Sequence, residues 1–462
     1  MSDGRHSAPR GRSNKDDDAK KAALANEQRL IALGDAVAQR SGIPGKKHRP
    51  HKPGRAKRRA LIVGVVVVGL LVALGGGSYL YAQWRFGQIT KLGNLPITHP
   101  VSGKPFNILE IGSDSRAGLT GAVAAQTGAS TGTVSGQRSD VVKIMHVDPT
   151  AGTISILSIP RDTYVTLLAN QNLYGKFNRI NVNYGNGPSL LVQTIVANFG
   201  IPINHVIQVG FAGLINAADA IGGVYLYFPY PSHDPFSGLS ILHPGCQLVT
   251  GFQALAVARS RHFYYNVKGA SHWPGNNYSD SALYSMGWVY DGTSDFGRID
   301  RQNAFLRAMI SRVKGLGITN PFAINNFLSK LPQGIAIDSS FSLNELIGYA
   351  LKFHSFNPAA MKTYTLPTLP AVIGGADVLI VNEPAAEQMI VNIFGSAVVP
   401  PTNPPPNAQG ATPMPPHIAP TTTSTLHTTT TLKHKKKTKV PTTTTTNPTL
   451  AVPSYDPRPC AP

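Results

Sequence analysis

The arginines and aspartates in the body of this 462-residue chain gather in five short motifs. Gly112-Ser113-Asp114-Ser115-Arg116 closes one strand candidate, and Arg138-Ser139-Asp140 opens the next. Ser158-Ile159-Pro160-Arg161-Asp162 closes a third, Arg259-Ser260-Arg261 closes a helix candidate, and Asp295-Phe296-Gly297-Arg298 runs into Arg301-Gln302. Arginine suits phosphate because its planar guanidinium donates in pairs and stays charged. Carboxylates suit a hard cation such as Mg²⁺, which takes one or two of them and shares the rest of its shell with phosphate oxygens. Taken singly, each motif has a plainer reading: Pro160-Arg161-Asp162 is a turn with a structural salt bridge, and Asp114 caps a turn. Five of them in a lightly charged body point instead to a diphosphate–Mg²⁺ site, set at strand ends where open α/β sheets collect their ligands.

The segment 298–316 gives an independent test. Its apolar positions Phe305, Leu306, Met309, Ile310, Val313 and Leu316 form one helical stripe. Arg298 and Gln302 fall inside that stripe, and Arg301 lies about 100° from its centre on a 3.6-residue wheel. An arginine aimed at the interior needs an anionic partner, because an unpaired buried charge is costly. The stripe leaves the partner open: Asp295, another aspartate of the body, or a bound diphosphate.

Other chemistries find no support. There is no GxxxxGK[ST] loop, no zinc spacing of His or Cys and no GxSxG elbow. Of the scattered histidines, His262 stands beside Arg261. Trp273, Tyr278, Trp288 and Tyr290 are of the type that stacks on sugar rings or simply packs a loop.

An α/β fold would bring the motifs together. Residues 106–111, 141–147, 153–159, 205–209 and 224–228 read as strands, and 188–199, 211–220, 252–258 and 299–314 as helices. Such a mixture predicts a sheet covered on both faces. Segments 118–137 and 262–294 read as inserted loops beside the charged motifs.

The rest of the chain sets the compartment. Residues 1–59 carry 16 Lys/Arg against 6 Asp/Glu and residues 401–462 carry 6 against 1, so the net charge of +19 belongs mostly to the tails. Nucleic acid is not the expected partner. Residues 60–82 hold no charge over 23 positions, enough to span a bilayer as a helix. The cluster Arg55–Arg59 precedes them and Tyr79, Tyr81 and Trp84 close them, which puts the N-terminus in the cytoplasm and the body outside. Residues 1–59 read as a basic disordered tail with a transient helix over 18–39, residues 83–104 as a linker, 105–398 as the catalytic body, and 399–462 as a Pro/Thr-rich disordered tail. Two cysteines, Cys246 and Cys460, are too few for a disulfide framework; one bridge between them stays open.

The motifs, in this order, resemble the LytR-CpsA-Psr family over roughly residues 105–398. The resemblance implies an αβα domain with a central mixed sheet, a hydrophobic polyprenyl channel, and a preceding transmembrane helix. It implies Mg²⁺, or Mn²⁺ in its place, held by Asp114 and Asp140. It implies diphosphate binding by Arg138, Arg161, Arg259, Arg261, Arg298, Arg301 and Gln302, with Asp295 close by. The expected reaction attaches a polyprenyl-diphosphate-linked glycopolymer of arabinogalactan, teichoic acid or capsule type to peptidoglycan and releases polyprenyl phosphate. Arg161 would hold the transferring group, and Asp295 or Asp162 would orient or deprotonate the attacking hydroxyl. The alternatives are a polyprenyl diphosphate hydrolase and a non-enzymatic sensor or transcriptional attenuator. Long loops and a high Ala/Gly content associate the chain with actinobacteria.

Overall fold

The computed structural model describes residues 14–40, 55–127, 139–317, 321–330, 332–407 and 453–461. Arg138 and residues 128–137 fall outside them, and the described half of the 118–137 insertion holds a short helix, Gly121–Gln126, where a loop was expected. The chain divides into two compact units, Met1–Gly77 and Ser78–Pro462. A helix at Asn14–Arg40 stands where a transient one over 18–39 was expected, and a second helix, Arg55–Phe86, covers all of the uncharged run 60–82. Among the described residues no helix is long and apolar enough to cross a membrane; the side chains of 55–62 and 70–74 lie outside that description.

The second unit is built on a seven-stranded mixed sheet. Its order is Thr90–Leu92, Ile335–Asp338, His205–Val209, Phe106–Ser113, Ser139–Asp148, Thr153–Ile159 and Lys362–Thr365. The two central strands are antiparallel, with Leu109 opposite Ile144 and Glu110 opposite Lys143. Side chains alternate across a pleated sheet. Leu109, Ile111, Val142 and Ile144 therefore share one face, where they pack on the helices Pro188–Phe199 and Ala385–Phe394 through Leu191, Ile195, Met389 and Ile390. Burying each such side chain stabilises the fold by about 1.5–3 kcal/mol. Glu110, Gly112, Val141 and Lys143 point to the opposite face and line a cavity.

That opposite face is covered by the helix Ser294–Leu316, whose Asn303 accepts from the Lys143 ammonium at 2.6 Å. The helices Phe211–Ala220 and Gly251–Arg259 lie beside it, and Phe305 and Ala308 share a core with Ala218, Ala254 and Val257. Elsewhere in this unit, Phe86 and Ile89 pack with Leu328, Ile337 and Phe341. Tyr79 and Tyr81, expected as interface aromatics, donate to Asn344 and Asn325 at 2.8 Å.

Three expectations need correction. Residues 83–104 are not merely a linker: Phe86 and Ile89 are buried and Thr90–Leu92 forms an edge strand of the seven-stranded sheet. The 262–294 insertion is not simply a loop. It supplies the strands Tyr264–Asn266 and Trp288–Tyr290 to a four-stranded sheet, and a helix at Asp280–Ser285 whose Ser279 hydroxyl accepts from the Ala282 amide. Nor is the chain a disordered tail from 399 to its end. The Thr166 hydroxyl donates to the Pro404 carbonyl at 2.8 Å. Residues 453–461 fold back: Arg458–Pro459 pairs with Val224–Phe228, Cys460 forms a disulfide with Cys246, and Tyr455 stacks on Tyr265 with centroids 4.3 Å apart. Pro and Thr content averaged over sixty residues concealed a short stretch, Ser454-Tyr455-Asp456, that carries a ring and a carboxylate.

Candidate active site

The site begins at a break in strand register. Gly112 pairs with Val141 but Ser113 pairs with Ser139, leaving Asp140 as the extra residue of a bulge. Bulges re-aim side chains, and Asp140 lines the cavity. Gly112 is required there: a Cβ would stand 2.6 Å from the Val141 Cβ. Arg161 arrives from the turn after the strand Thr153–Ile159, a turn closed by Thr163 donating twice to the Pro160 carbonyl. Its Nη1 donates to Asp140 Oδ1 at 2.7 Å.

The helix Ser294–Leu316 contributes the next layer. Arg298, 3% exposed, donates through Nη2 to the Asp140 carbonyl at 2.6 Å. Asp295 Oδ1 lies 2.9 Å from Arg298 Nη2, 3.2 Å from Arg261 Nε and 3.8 Å from Arg161 Nε, so one carboxylate holds three guanidiniums together. Burial pushes Asp140 upward, but Arg298 and Arg161 outweigh it and hold the carboxyl below its usual range. Burial lowers Arg298, with Asp295 and Asp140 only partly restoring it.

Arg259 differs from its neighbours. It makes no ion pair among the described residues, its Nη1 is buried without a hydrogen-bond partner, and its guanidinium lies 4.7 Å above the Phe211 ring. Burial and the nearby Arg116 both depress it. The Nε groups of Arg161, Arg261 and Arg298 are also buried without an aligned acceptor. A cluster of buried, under-used guanidinium donors has the chemistry of an anion site.

The cavity measures about 330 Å³ and is polarised along its length. Arg298, Gln302, Phe305, Leu306 and Met309 line it at helical spacing. At ~1.5 Å per residue this helix's lining passes from charge to hydrocarbon over roughly 16 Å, while Glu110 and Lys143 add a charged pair on the facing strands. Leu214 and Leu255 join the apolar end, while Arg259, Arg261 and His262 join the charged end.

Among the residues singled out from sequence, Asp140, Arg161, Arg259, Arg261, Arg298 and Gln302 converge on this cavity. Asp295 and Asp162 stand behind the arginines rather than in the lining; Asp162 pairs with Arg161 at 3.4 Å and Arg179 at 3.5 Å. Arg301 is corrected. It faces away, fully buried, with Nη1 donating to Asp291 and Asp456 at 2.8 Å each, Nη2 donating to the Ser260 carbonyl at 3.1 Å, and its carbon centre 4.5 Å over the Phe263 ring. A guanidinium so occupied braces the Arg259–Arg261 segment and does not receive a ligand. The 100° offset on the helical wheel had already separated it from Arg298.

Asp114 lies outside the cavity lining. It follows Ser113, the register partner of Ser139, so it and Asp140 flank one position on neighbouring strands. Among the described residues no group of three or more His, Cys, Asp or Glu is placed to hold a metal by protein ligands alone. Mg²⁺ requires fewer, one or two carboxylates completed by substrate oxygens; Asp114 and Asp140 are donors of that type, and Asp140 Oδ1 already accepts from Arg161.

Sequence reasoning missed Asp234, which lines the cavity fully buried. Its Oδ2 accepts from the Ser260 hydroxyl at 2.7 Å and from the Arg261 and His262 amides at 2.9 Å, and its Oδ1 accepts from the Phe236 and Ser237 amides. Burial raises its carboxyl, but these donors more than offset the rise. Nothing local in the sequence marked Asp234. Lys143 was also missed; burial brings it down to about 8.

The LytR_cpsA_psr family model matches residues 89–266 and 287–393. The chain belongs to this family. A probable cell wall biosynthesis protein, LcpB, from Corynebacterium glutamicum is 30% identical over 295 residues, 63% of this chain and 61% of the relative. The chain therefore spans about three-fifths of LcpB's length, and the actinobacterial association agrees with this source. A polyisoprenyl-teichoic acid–peptidoglycan teichoic acid transferase, TagU, from Bacillus subtilis is 26% identical over 301 residues, 62% of this chain and 80% of the relative. Among solved structures, a LytR-Csp2A-Psr enzyme from Actinomyces oris has the same fold, with a TM-score of 0.50 at 19% identity over 69% of this chain and 99% of that one. The LytR_cpsA_psr match is interrupted over 267–286, inside the insertion that adds the helix Asp280–Ser285.

Proposed function

We propose that this chain is a phosphotransferase that joins a polyprenyl-diphosphate-linked glycopolymer to peptidoglycan. The observation that carries the reading is the polarised cavity, with guanidiniums lacking full partners at one end and an apolar sleeve at the other. A lipid diphosphate has that same division of charge and hydrocarbon. The names of relatives such as TagU support the same reaction class.

In this reading the polyprenyl chain lies along Leu214, Leu255, Leu306 and Met309, and the diphosphate meets Arg161, Arg259, Arg261 and Arg298. Asp114 and Asp140 would hold Mg²⁺, which would supply further positive charge to the diphosphate. A sugar hydroxyl of the wall forms a new O–P bond to the phosphorus nearest the donor glycan. The bond from that phosphorus to the bridging oxygen breaks, and polyprenyl phosphate leaves with the electron pair. Fixed guanidiniums stabilise charge on the transferring and leaving groups, the main task in phosphoryl transfer. Asp295, gripped by three arginines, and Asp162, paired with Arg161 and Arg179, position those arginines from behind, and the hydroxyl proton is lost to water as the phosphodiester forms. The helix Arg55–Phe86 supplies a single membrane anchor with the catalytic unit outside the cell. The uncharged run 60–82 and the basic residues before it support that placement.

The test uses the full chain in detergent with Mg²⁺, a synthetic lipid-linked donor and a peptidoglycan fragment. A phosphodiester-linked product, abolished by Arg161→Ala with unchanged thermal unfolding, is expected. Free glycan phosphate would make the enzyme a hydrolase. No turnover from the folded chain, or full activity in Arg161→Ala, would overturn the assignment.

A further inference from the structure

A row of aromatic side chains leads away from the charged end of the cavity. Tyr264 pairs in register with Tyr290 on one side and His233 on the other, so all three project from the same face of the small sheet. Trp273, from the stretch that the LytR_cpsA_psr match omits, stacks on His233 at 4.3 Å and meets Tyr264 at 5.2 Å. The row continues from Tyr264 to Tyr290 at 5.2 Å, from Tyr290 to His262 at 6.4 Å, and from His262 to Phe236 at 4.5 Å. His262 and Phe236 line the cavity itself. Trp288 lies beneath, 1% exposed, as the floor of the row. The rings above it are half-buried or exposed, and Phe236 is 71% exposed.

We propose that this row is the acceptor subsite, binding an uncharged stretch of wall glycan by its sugar faces. The inference rests on the transferase reading. Phosphoryl transfer places the attacking and leaving oxygens roughly in line. The leaving oxygen belongs to the lipid phosphate, whose hydrocarbon runs down the apolar end past Met309. The attacking hydroxyl must then enter from the opposite, charged end, where His262 and Phe236 open onto the row. Pyranose rings present apolar C–H faces that lie flat on aromatic rings, while their hydroxyls need polar neighbours. Such neighbours stand beside the row: Asp280 on the Tyr264 hydroxyl at 2.9 Å, and Asn276 on the Trp273 indole at 2.8 Å. The polar side chains bonded to the row, Asp280 and Asn276, are an acid and an amide, which suits a neutral amino-sugar backbone better than a polyanion. The family-matched part of the fold thus supplies the lipid diphosphate site and most rings of the row, and the stretch the match omits adds Trp273 to it.

The experiment measures binding directly, so it does not depend on turnover. The full chain in detergent is titrated calorimetrically with a soluble peptidoglycan tetrasaccharide, with inorganic pyrophosphate, and with a short-chain glycosyl diphosphate. Trp273→Ala should weaken the tetrasaccharide roughly 3- to 10-fold, the loss of one aromatic stack, and leave pyrophosphate unchanged. Tyr290→Leu, which keeps an apolar strand former at a half-exposed position, should weaken it similarly with unaltered thermal unfolding. Equal tetrasaccharide affinity in wild type and both variants, or no binding by wild type, would overturn the subsite and leave the transferase reading standing. Weakening of the glycosyl diphosphate alone would move the row to the donor side and also overturn it. A chain that binds tetrasaccharide through these rings yet transfers nothing would keep the subsite and remove the transferase.

Discussion

Arg301 Nη1 and Asp456 Oδ1 are 2.8 Å apart although 155 positions separate them, and both side chains are wholly buried. Asp291 shares the same Nη1 at 2.8 Å. Through Arg301 and the Ser260 carbonyl, a residue near the chain's end braces the segment that presents Arg259 and Arg261 to the cavity. Removing one of two carboxylates leaves Arg301 paired, so Asp456→Ala should cost about 1–3 kcal/mol. Arg301→Ala strands two buried carboxylates and should cost about 3–5 kcal/mol. Urea unfolding gives both values; the reverse order would mean that Asp456 and not Arg301 is the hub.

The same triad predicts a pH dependence. Burial raises Asp456 to about 6, Arg301 pulling against it and Asp291 adding to it. A carboxyl raised on folding binds its proton more tightly in the native state. Its contribution to stability is therefore complete below the unfolded value near 4 and is lost as pH rises through about 6. Asp456→Asn should remove that slope between pH 4 and 6 in the unfolding free energy. An unchanged slope would place the titration elsewhere.

Arg259 should separate binding from stability. Its buried charge has no ion-pair partner among the described residues, so Arg259→Met should leave stability unchanged or raise it. It should also weaken pyrophosphate binding about 10- to 100-fold, the worth of one or two charged hydrogen bonds. A variant that unfolds more readily but binds normally would make Arg259 structural.

Gly297 sets two effects against each other. Alanine in a helix interior is favoured by about 1 kcal/mol over glycine. Yet a Cβ at 297 would lie 2.0 Å from Thr293 Oγ1 and 2.9 Å from Arg301 Nη2. The Thr293 hydroxyl bonds Asp291 Oδ2, so it has no slack to give. Overpacking costs about 1–3 kcal/mol, and Gly297→Ala should be net destabilising by thermal unfolding.

The disulfide between Cys246 and Cys460 closes a 214-residue separation. Serine at both positions should lower stability by about 2–5 kcal/mol, measured by unfolding with and without reductant. Reductant should then affect the wild type alone.

Much of this was legible in sequence, for a reason visible in particular residues. The strand Thr153–Ile159 and the helix Pro188–Phe199 carry their own periodicity and end at Pro160 and Gly200, and the helix Phe211–Ala220 stops just before Gly222-Gly223, so local pattern sufficed. Asp140, Arg161 and Arg298 were found because charge is rare in the body and clusters at element ends. Asp234 and Asp456 escaped because the partners that tie them to the site, Ser260 and Arg301, lie 26 and 155 positions away. The role of Arg301 was misassigned because its motif lies beside Arg298, and only packing on Asp291 and Asp456 reveals which way it faces.

The alternation along the two central strands has a consequence for variation. Leu109, Ile111, Val142 and Ile144 answer to the hydrophobic interior, while Glu110, Gly112, Val141 and Lys143 answer to whatever the cavity holds. Adjacent codons are thus under unrelated selection. A saturation scan of 108–112 and 141–144 should return two interleaved phenotypes, loss of abundance at one parity and loss or change of ligand preference at the other. The specificity of this protein is therefore open to redesign one residue at a time, within strands whose neighbouring positions are closed to it.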